Sequence, residues 1–120
     1  MKQGILPGCW LDVFELSHFR GRRRRLLGPN QFNSIRSRSA TWGISIDSML
    51  VGPNAYIRMF SAADVDSTLL WLFPRQLIED VINLRVDDSA DSVQILAVPP
   101  VQGERGYEAY IRSFNQLPNA

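Results

Sequence analysis

The sequence contains one cysteine, Cys9, and one histidine, His18. A single cysteine excludes an intramolecular disulfide, and one cysteine with one histidine is too few for a zinc site built from these residue types. A Ser-His-Asp or Cys-His catalytic site would have to use His18, and neither an orienting third group nor a glycine-rich phosphate loop is indicated. We therefore expect a protein that is not an enzyme.

Long apolar runs are also missing. No stretch approaches the roughly 18 apolar residues that a membrane-spanning helix needs. The first ten residues, MKQGILPGCW, contain one lysine and no long apolar segment. The sequence therefore predicts a soluble chain with no membrane partner and no signal peptide, and it indicates no compartment.

Charge is unevenly distributed in a chain whose length predicts a single domain, residues 1–120. Residues 1–60 contain nine Lys/Arg against three Asp/Glu, a balance of +6, whereas residues 61–120 contain four against nine, a balance of −5. Two interpretations fit this asymmetry. The charges pair within the molecule, or opposite patches associate with a second copy, such as a homodimer, or with a protein partner.

The sequence repeats itself in two halves. Residues 11–21 align with 57–67 at an offset of 46, and residues 42–53 align with 86–97 at an offset of 44. The first segment of each half alternates between two faces with period two, which is typical of half-buried strands. Turn signals recur between the segments, so the sequence predicts a β-sandwich of short strands.

Three segments depart from this strand pattern. PRQLIEDVINL, residues 74–84, has apolar residues at helical spacing after a proline, which predicts one short helix. The apolar run LLWLF, residues 69–73, indicates a strand that is buried on both faces, or whose outer face is covered by the helix, by a second subunit or by Tyr107 and Tyr110 of the tail. The final segment, residues 106–114, fits either a further strand or a helical tail.

FELSHFRG, residues 14–21, has the spacing aromatic, four residues, aromatic, any residue, glycine. This motif, with the closing segments WGISIDSMLVGP and DDSADSVQIL, resembles the Greek-key repeat of the βγ-crystallin superfamily, in its microbial single-domain type. The resemblance implies an all-β fold in which two Greek-key motifs, about 10–52 and 53–98, form a β-sandwich. We add one short helix and a C-terminal extension, 99–120.

The spacing has a physical reason. Phe14 and Phe19 can pack on each other across a folded hairpin bend, and Gly21 lies where a side chain would clash or where the backbone needs positive φ. The second motif is degraded, because Val65 and Ser67 stand where an aromatic residue and a glycine are expected. We expect Ser67 to carry part of that conformational cost and the second hairpin to be looser.

The resemblance also implies calcium as a cofactor. In that family two closing loops lie side by side, and each ion is shared between them. One loop supplies its first residues, and the other supplies the side chain at the fifth position of its signature, which is Asp47 or Asp91 here. The ligands carried over are Asp87, Asp88 and Ser89 with Asp47 at one site, and Gly43 and Ser45 with Asp91 at the other. The first site has three carboxylates and is expected to bind Ca²⁺, whereas the second has one and is expected to be weak or empty. The alternative is a solvated, aspartate-rich turn.

The run RGRRRR, residues 20–25, follows the bend on the strand that leaves it. Alternate arginines of a strand point to opposite faces, so we expect a solvated or ion-paired strand face. A patch for an anion or a partner protein is the second interpretation. Nucleic acid is the least favoured one, because no stacking platform or groove-binding helix adjoins the arginines.

The function expected from these features is that of a non-enzymatic, calcium-binding or calcium-stabilised structural or stress module. The alternative is a protein-binding inhibitor or toxin-like module on the same fold without functional calcium sites. Retained calcium ligation favours the first. A protruding ordered loop with a protein partner favours the second.

Overall fold

The structure is a computed structural model that describes residues 6–33, 35, 46–84 and 90–116. These ranges contain eight strands, a 3-10 helix at Val81–Leu84 and one α-helix, α1 (Tyr107–Asn115). The strands are β1 (Trp10–Leu16), β2 (Arg20–Leu27), β3 (Asn30–Phe32), β4 (Ser48–Val51), β5 (Tyr56–Ser61), β6 (Asp64–Leu72), β7 (Leu77–Ile78) and β8 (Ser92–Leu96).

The strands form two antiparallel sheets that exchange one strand each. Sheet A has the order β2-β1-β4-β7, and sheet B has the order β3-β8-β5-β6. The third strand of the first half, β3, pairs with β8 in sheet B, and the third strand of the second half, β7, pairs with β4 in sheet A. The exchange relates the halves by a pseudo-twofold axis. The predicted pair of Greek-key motifs in a β-sandwich is confirmed.

The core lies between the sheets and follows the period-two pattern. Leu11 and Val13 of β1 and Ile57 and Met59 of β5 are at most 1% exposed. Gly28, between β2 and β3, carries the chain from one sheet to the other, and a Cβ there would collide with Ile95. We call this end of the sandwich the lower end, and the opposite end, where the hairpins bend, the upper end.

The first hairpin bend has the predicted construction. The rings of Phe14 and Phe19 meet edge to face with centroids 5.7 Å apart. Gly21 has φ of +81°, and a Cβ would lie 3.0 Å from Cγ of Leu16, so both reasons for glycine hold. The hydroxyl of Ser48 closes the bend, because it accepts the N–H of Phe19 (2.9 Å) and donates to the carbonyl of Leu16 (2.6 Å).

The second bend is built differently. Only Ala62 and Ala63 separate β5 from β6, and the pairing register shifts on both sides of Phe60. Ser67 is not among the described residues with positive φ. The expectation that Ser67 carries the conformational cost of the missing glycine is therefore wrong, since irregular strand pairing absorbs the extra residues.

The α-helix predicted for residues 74–84 is wrong. This segment forms β7 and the 3-10 helix, because Leu77 and Ile78 pair with β4. Of the apolar residues at helical spacing, Leu77 is 65% and Ile82 is 77% exposed, so half of the supposed apolar face has nothing to pack against. The sheet pairing available to this segment outweighs its local helical pattern.

The one short helix lies instead in the C-terminal extension, where α1 packs on the outer face of sheet B. A second core forms there, in which Tyr110 lies 5.4 Å from the ring of Trp71 and 5.2 Å from that of Phe73. Trp71 also donates from Nε1 to the carbonyl of Gly106 (3.0 Å). The tail is helical, and it covers the LLWLF strand.

Candidate functional site

The two closing turns, by which we mean Ile46-Asp47 and Ala90-Asp91, lie at the upper end of the sandwich. Asp47 directly precedes β4, and Asp91 directly precedes β8. The N–H of Val81 donates to the carbonyl of Asp47 (2.8 Å), and the N–H of Ile35 donates to the carbonyl of Asp91 (2.7 Å). Each closing turn therefore holds the chain of the other half, in a crossed arrangement that follows the pseudo-twofold axis.

Buried neighbours hold the turns in place. Ile46 and Ala90, the residues before the two aspartates, are 3% and 0% exposed and belong to one hydrophobic core. The N–H of Asp47 donates to the carbonyl of Phe14 (2.9 Å), which ties its turn to the end of β1. Each aspartate therefore directly follows a residue that is buried in the core.

The two aspartate side chains have different surroundings. Asp91 accepts hydrogen bonds on Oδ1 from the N–H of Ala62 (3.0 Å) and from the hydroxyl of Ser92 (2.9 Å). It closes the second hairpin bend, as Ser48 closes the first. Asp47 is half-buried, and its carboxylate makes no hydrogen bond or ion pair with another described residue.

The remaining predicted ligands, Asp87, Asp88, Ser89, Gly43 and Ser45, lie outside the described residues. Within the described ranges no group of three or more His, Cys, Asp or Glu side chains is arranged to hold a metal ion. Calcium takes six to eight oxygens. Asp91 already uses Oδ1 in two hydrogen bonds, whereas both carboxylate oxygens of Asp47 are without a partner among the described residues.

The arginine run forms an ion-paired strand face. Arg25 binds Asp12 through Nε and a terminal nitrogen (2.8 and 2.9 Å) and stacks over the ring of Trp10 at 3.9 Å. Arg22 binds Glu15 at 2.9 Å. The hydrogen bond to Asp12 raises the pKa of Arg25, and the one from Arg22 lowers the pKa of Glu15. The predicted paired face is confirmed.

Sequence reasoning missed a buried cation, Arg58, which is 1% exposed. Its nitrogens donate to Oε1 of Gln94 (2.8 Å), the hydroxyl of Thr68 (2.9 Å) and the carbonyl of Val65 (3.0 Å). Its guanidinium lies 4.3 Å from the ring centre of Phe60, and burial lowers the pKa of Arg58. The alternation of YIRMF places this residue opposite the core side, where Gly106, the residue before α1, lies against it.

The residues that a Cys-His site would need are far apart. Cys9 is buried at the lower end, and its pKa is raised by that burial. His18 lies in the upper bend, 63% exposed and 3.6 Å from the carboxylate of Glu79. The seven residues of β1 separate them by about 20 Å.

In the described ranges no helix is long and apolar enough to span a membrane.

Solved structures with the same arrangement of strands are βγ-crystallin domains. This chain has the βγ-crystallin fold. One match comes from work on the evolution of the eye-lens βγ-crystallin fold, with 17% identity, a TM-score of 0.60, and coverage of 82% of this chain and 96% of that one. No protein-family model and no curated protein sequence matches the chain.

Two further structures show the βγ-crystallin fold at a similar level of sequence identity. Spherulin 3a from Physarum polycephalum has 17% identity and a TM-score of 0.59, covering 84% of this chain and 95% of its own. A variant βγ-crystallin domain from Clostridium beijerinckii has 16% identity and a TM-score of 0.53, covering 74% and 98%. Almost the whole of each relative is matched, and the unmatched remainder belongs to this chain.

Proposed function

We propose that this chain is a non-enzymatic structural module of βγ-crystallin type that calcium stabilises at one site between its closing turns. The observation that supports the proposal is the crossed pair of hydrogen bonds, from Val81 to Asp47 and from Ile35 to Asp91, which brings each turn against the opposite half. A cation bound between the turns would link both motifs.

The site that we propose combines Asp47 with Asp87, Asp88 and the carbonyl of Ser89. Three carboxylates without a cation repel one another, and calcium, a hard cation, prefers such oxygen ligands. Binding only to the folded state stabilises it by about 2.7 kcal/mol at a calcium concentration of 100 times Kd. For a domain of this size that corresponds to a rise in Tm of about 10 °C.

The second site, with Gly43, Ser45 and Asp91, is proposed to be weak or empty. Asp91 uses one carboxylate oxygen to close the bend at Ala62, so at most one is left for an ion. The other two proposed ligands of this site, Gly43 and Ser45, would contribute only backbone carbonyls. The fold thus uses Asp91 structurally, whereas Asp47 is the better candidate for a ligand.

The test compares Tm in EDTA, in millimolar magnesium and in millimolar calcium. The wild-type chain should gain stability in calcium, and Asp47→Asn should lose that gain, with a Tm in EDTA no lower than that of the wild-type chain because one repelling carboxylate is removed. Asp91→Asn should lower Tm in all three conditions and keep most of the gain. Asp64→Asn, at an exposed carboxylate on β6, is the matched control and should keep both values.

Two results would contradict the proposal. One is an unchanged Tm of the wild-type chain in millimolar calcium. The other is a calcium gain that survives both Asp47→Asn and Asp88→Asn. The first result makes the inhibitor-like function without calcium sites the better candidate, whereas the second means that calcium binds through other ligands.

A further inference from the structure

The place where α1 packs on sheet B has an equivalent on sheet A. The equivalent residues, at the repeat offset of 46, are Tyr56 with Trp10, Trp71 with Arg25, and Phe73 with Leu27. The pairing registers agree, because Arg58 lies opposite Trp71 as Asp12 lies opposite Arg25. The two sets of three residues therefore take the same positions on the outer faces of their sheets.

On sheet B these positions form a binding site for a helix. The ring centre of Tyr110 lies 6.4, 5.4 and 5.2 Å from those of Tyr56, Trp71 and Phe73. The backbone N–H of Trp71 points to the edge of the sheet and donates to the hydroxyl oxygen of Ser113 (3.2 Å). An aromatic residue and a hydroxyl residue three positions apart on one helix face thus hold α1 on the sheet.

On sheet A the equivalent positions, which we call the open site, are partly exposed. Leu27 is 45% exposed, the side chain of Arg25 is 41% exposed, and Trp10 is half-buried. The only α-helix among the described residues packs on the other sheet. The open site therefore has the position of a helix-binding site and no described helix on it.

The strand edge at the open site is regular. The N–H of Gly28 donates to the carbonyl of Cys9 (2.9 Å), and hydrogen-bonded pairs alternate along an antiparallel ladder. The N–H of Arg25 consequently points away from β1, as the N–H of Trp71 points away from β5. The register shift of this hairpin lies beyond Phe14 and leaves residues 25–27 undistorted.

The open site differs from its equivalent on sheet B by its positive charge. Arg25 and Arg23 lie 2.8 and 3.6 Å from the same buried carboxylate, that of Asp12, so one negative charge faces two positive ones. Arg25 binds Asp12 through Nε and Nη2, which leaves Nη1 as a free donor. A partner with negative charge is favoured here, and it can bind without breaking the pair with Asp12.

We propose that the open site binds an acidic amphipathic helix of a partner protein. An aromatic side chain of that helix stacks on the guanidinium of Arg25 and contacts Leu27, as Tyr110 contacts Trp71 and Phe73. A carboxylate of the helix binds Nη1 of Arg25, and a hydroxyl three positions after the aromatic residue accepts the N–H of Arg25.

A second copy of the chain and a nucleic acid fit the open site less well. The helix of a second copy has one acidic and one basic residue, Glu108 and Arg112, and its Tyr110 is already packed on its own sheet. Arg25 lies over the ring of Trp10 at 3.9 Å, so that ring is not open to a base. Charge and accessibility therefore favour the acidic helix.

The test titrates the full-length chain, labelled with nitrogen-15, with synthetic peptides in EDTA, so that calcium has no part in the result. The acidic peptide is residues 104–116 with Arg105→Glu and Arg112→Glu, which keeps Tyr110 and Ser113. At about 1 mM, a concentration suited to a short helix that binds weakly, it should shift the N–H signals of Arg25 and of the Trp10 indole.

Two control peptides separate charge from shape. The basic peptide, residues 104–116 with Glu104→Lys and Glu108→Lys, has the same apolar residues and should cause no shift at the open site. The acidic peptide with Tyr110→Ala should bind about tenfold more weakly, because it lacks the stacking ring. Absence of shifts with the acidic peptide, equal shifts with the basic one, or shifts at Trp71 on sheet B instead would overturn the proposal.

A matched pair of variants locates the contact. Leu27→Asp removes the apolar contact and adds a carboxylate that competes for Arg25, so it should weaken binding of the acidic peptide about tenfold. Ile82→Asp changes a residue of the 3-10 helix that is 77% exposed, and it should leave binding unchanged. The Tm of each variant shows whether it is folded. Binding that survives Leu27→Asp, or that Ile82→Asp weakens equally, would contradict the open site.

Discussion

The outer faces of the two sheets occupy equivalent positions of the repeat and are built in different ways. Asp12 of β1 and Arg58 of β5 are equivalent at the offset of 46, and both are at most 2% exposed. On sheet A, the charge of Asp12 is neutralised by Arg25 and Arg23 at the surface. On sheet B, Arg58 lies beneath residues of the C-terminal extension and donates to three neutral acceptors.

The difference shows how far duplication determines a structure. The repeat sets the backbone, the strand exchange and the residues that face the common core. It does not set the outer faces, where one half uses an ion pair and the other uses a helix that the repeat does not contain. The covered face gains a second core around Trp71, whereas the open face keeps half-exposed arginines.

The largest effect that separates the faces is expected from their tryptophans. Trp71, on the covered face, is 1% exposed, whereas Trp10, on the open face, is half-buried. Trp71→Ala should lower the free energy of unfolding by about 4 kcal/mol, because it leaves a cavity under α1. Trp10→Ala, the matched change, should cost about 1–2 kcal/mol, since it removes partly exposed contacts. Urea unfolding measures both, and equal losses would contradict the contrast.

Much of the fold could be predicted because its signals are local. The alternation in β1 and β5 and the spacing of Phe14, Phe19 and Gly21 depend on neighbours along the chain, and the structure agrees with them. Residues 74–84 could not be predicted from their own pattern, since the pairing of Leu77 with Leu50 of β4 decides their conformation.

The candidate site was harder to predict for a similar reason. The motif identifies Asp47 and Asp91 as equivalent residues. Whether the carboxylate of Asp91 reaches the second hairpin bend depends on the register in which β8 pairs with β5. The two-residue turn at Ala62 brings a backbone N–H to Asp91, and the sequence of the closing loop contains no trace of it. Arg58 was missed because its acceptors lie on two other strands, β6 and β8.

An intermediate effect is expected at the two bends. Gly21→Ala should cost about 1–2 kcal/mol, because an L-residue is strained at φ of +81°. Ser67→Gly should not stabilise the protein and should cost less than about 1 kcal/mol, since Ser67 has no positive φ to relieve. Thermal unfolding of both variants measures the difference. Stabilisation by Ser67→Gly would show that the second bend does need a glycine.

The smallest expected effect concerns alkaline pH at the covered face. Burial against Trp71 and Phe73 raises the pKa of Tyr110 above its ordinary value of about 10. The unfolded chain therefore ionises this tyrosine more easily than the folded one. The stability that the neutral phenol contributes is present below pH 10 and is lost as pH rises through the folded pKa.

Tyr110→Phe should accordingly flatten the alkaline decline in the urea midpoint between about pH 8 and about pH 11. Tyr107→Phe changes a tyrosine of the same helix that lies outside the aromatic cluster, and it should leave the decline as in the wild-type chain. The open face of sheet A has no buried tyrosine in the described residues, so the difference between these variants measures how tightly α1 covers sheet B. A decline that is identical in both would mean that α1 leaves the sheet before Tyr110 ionises.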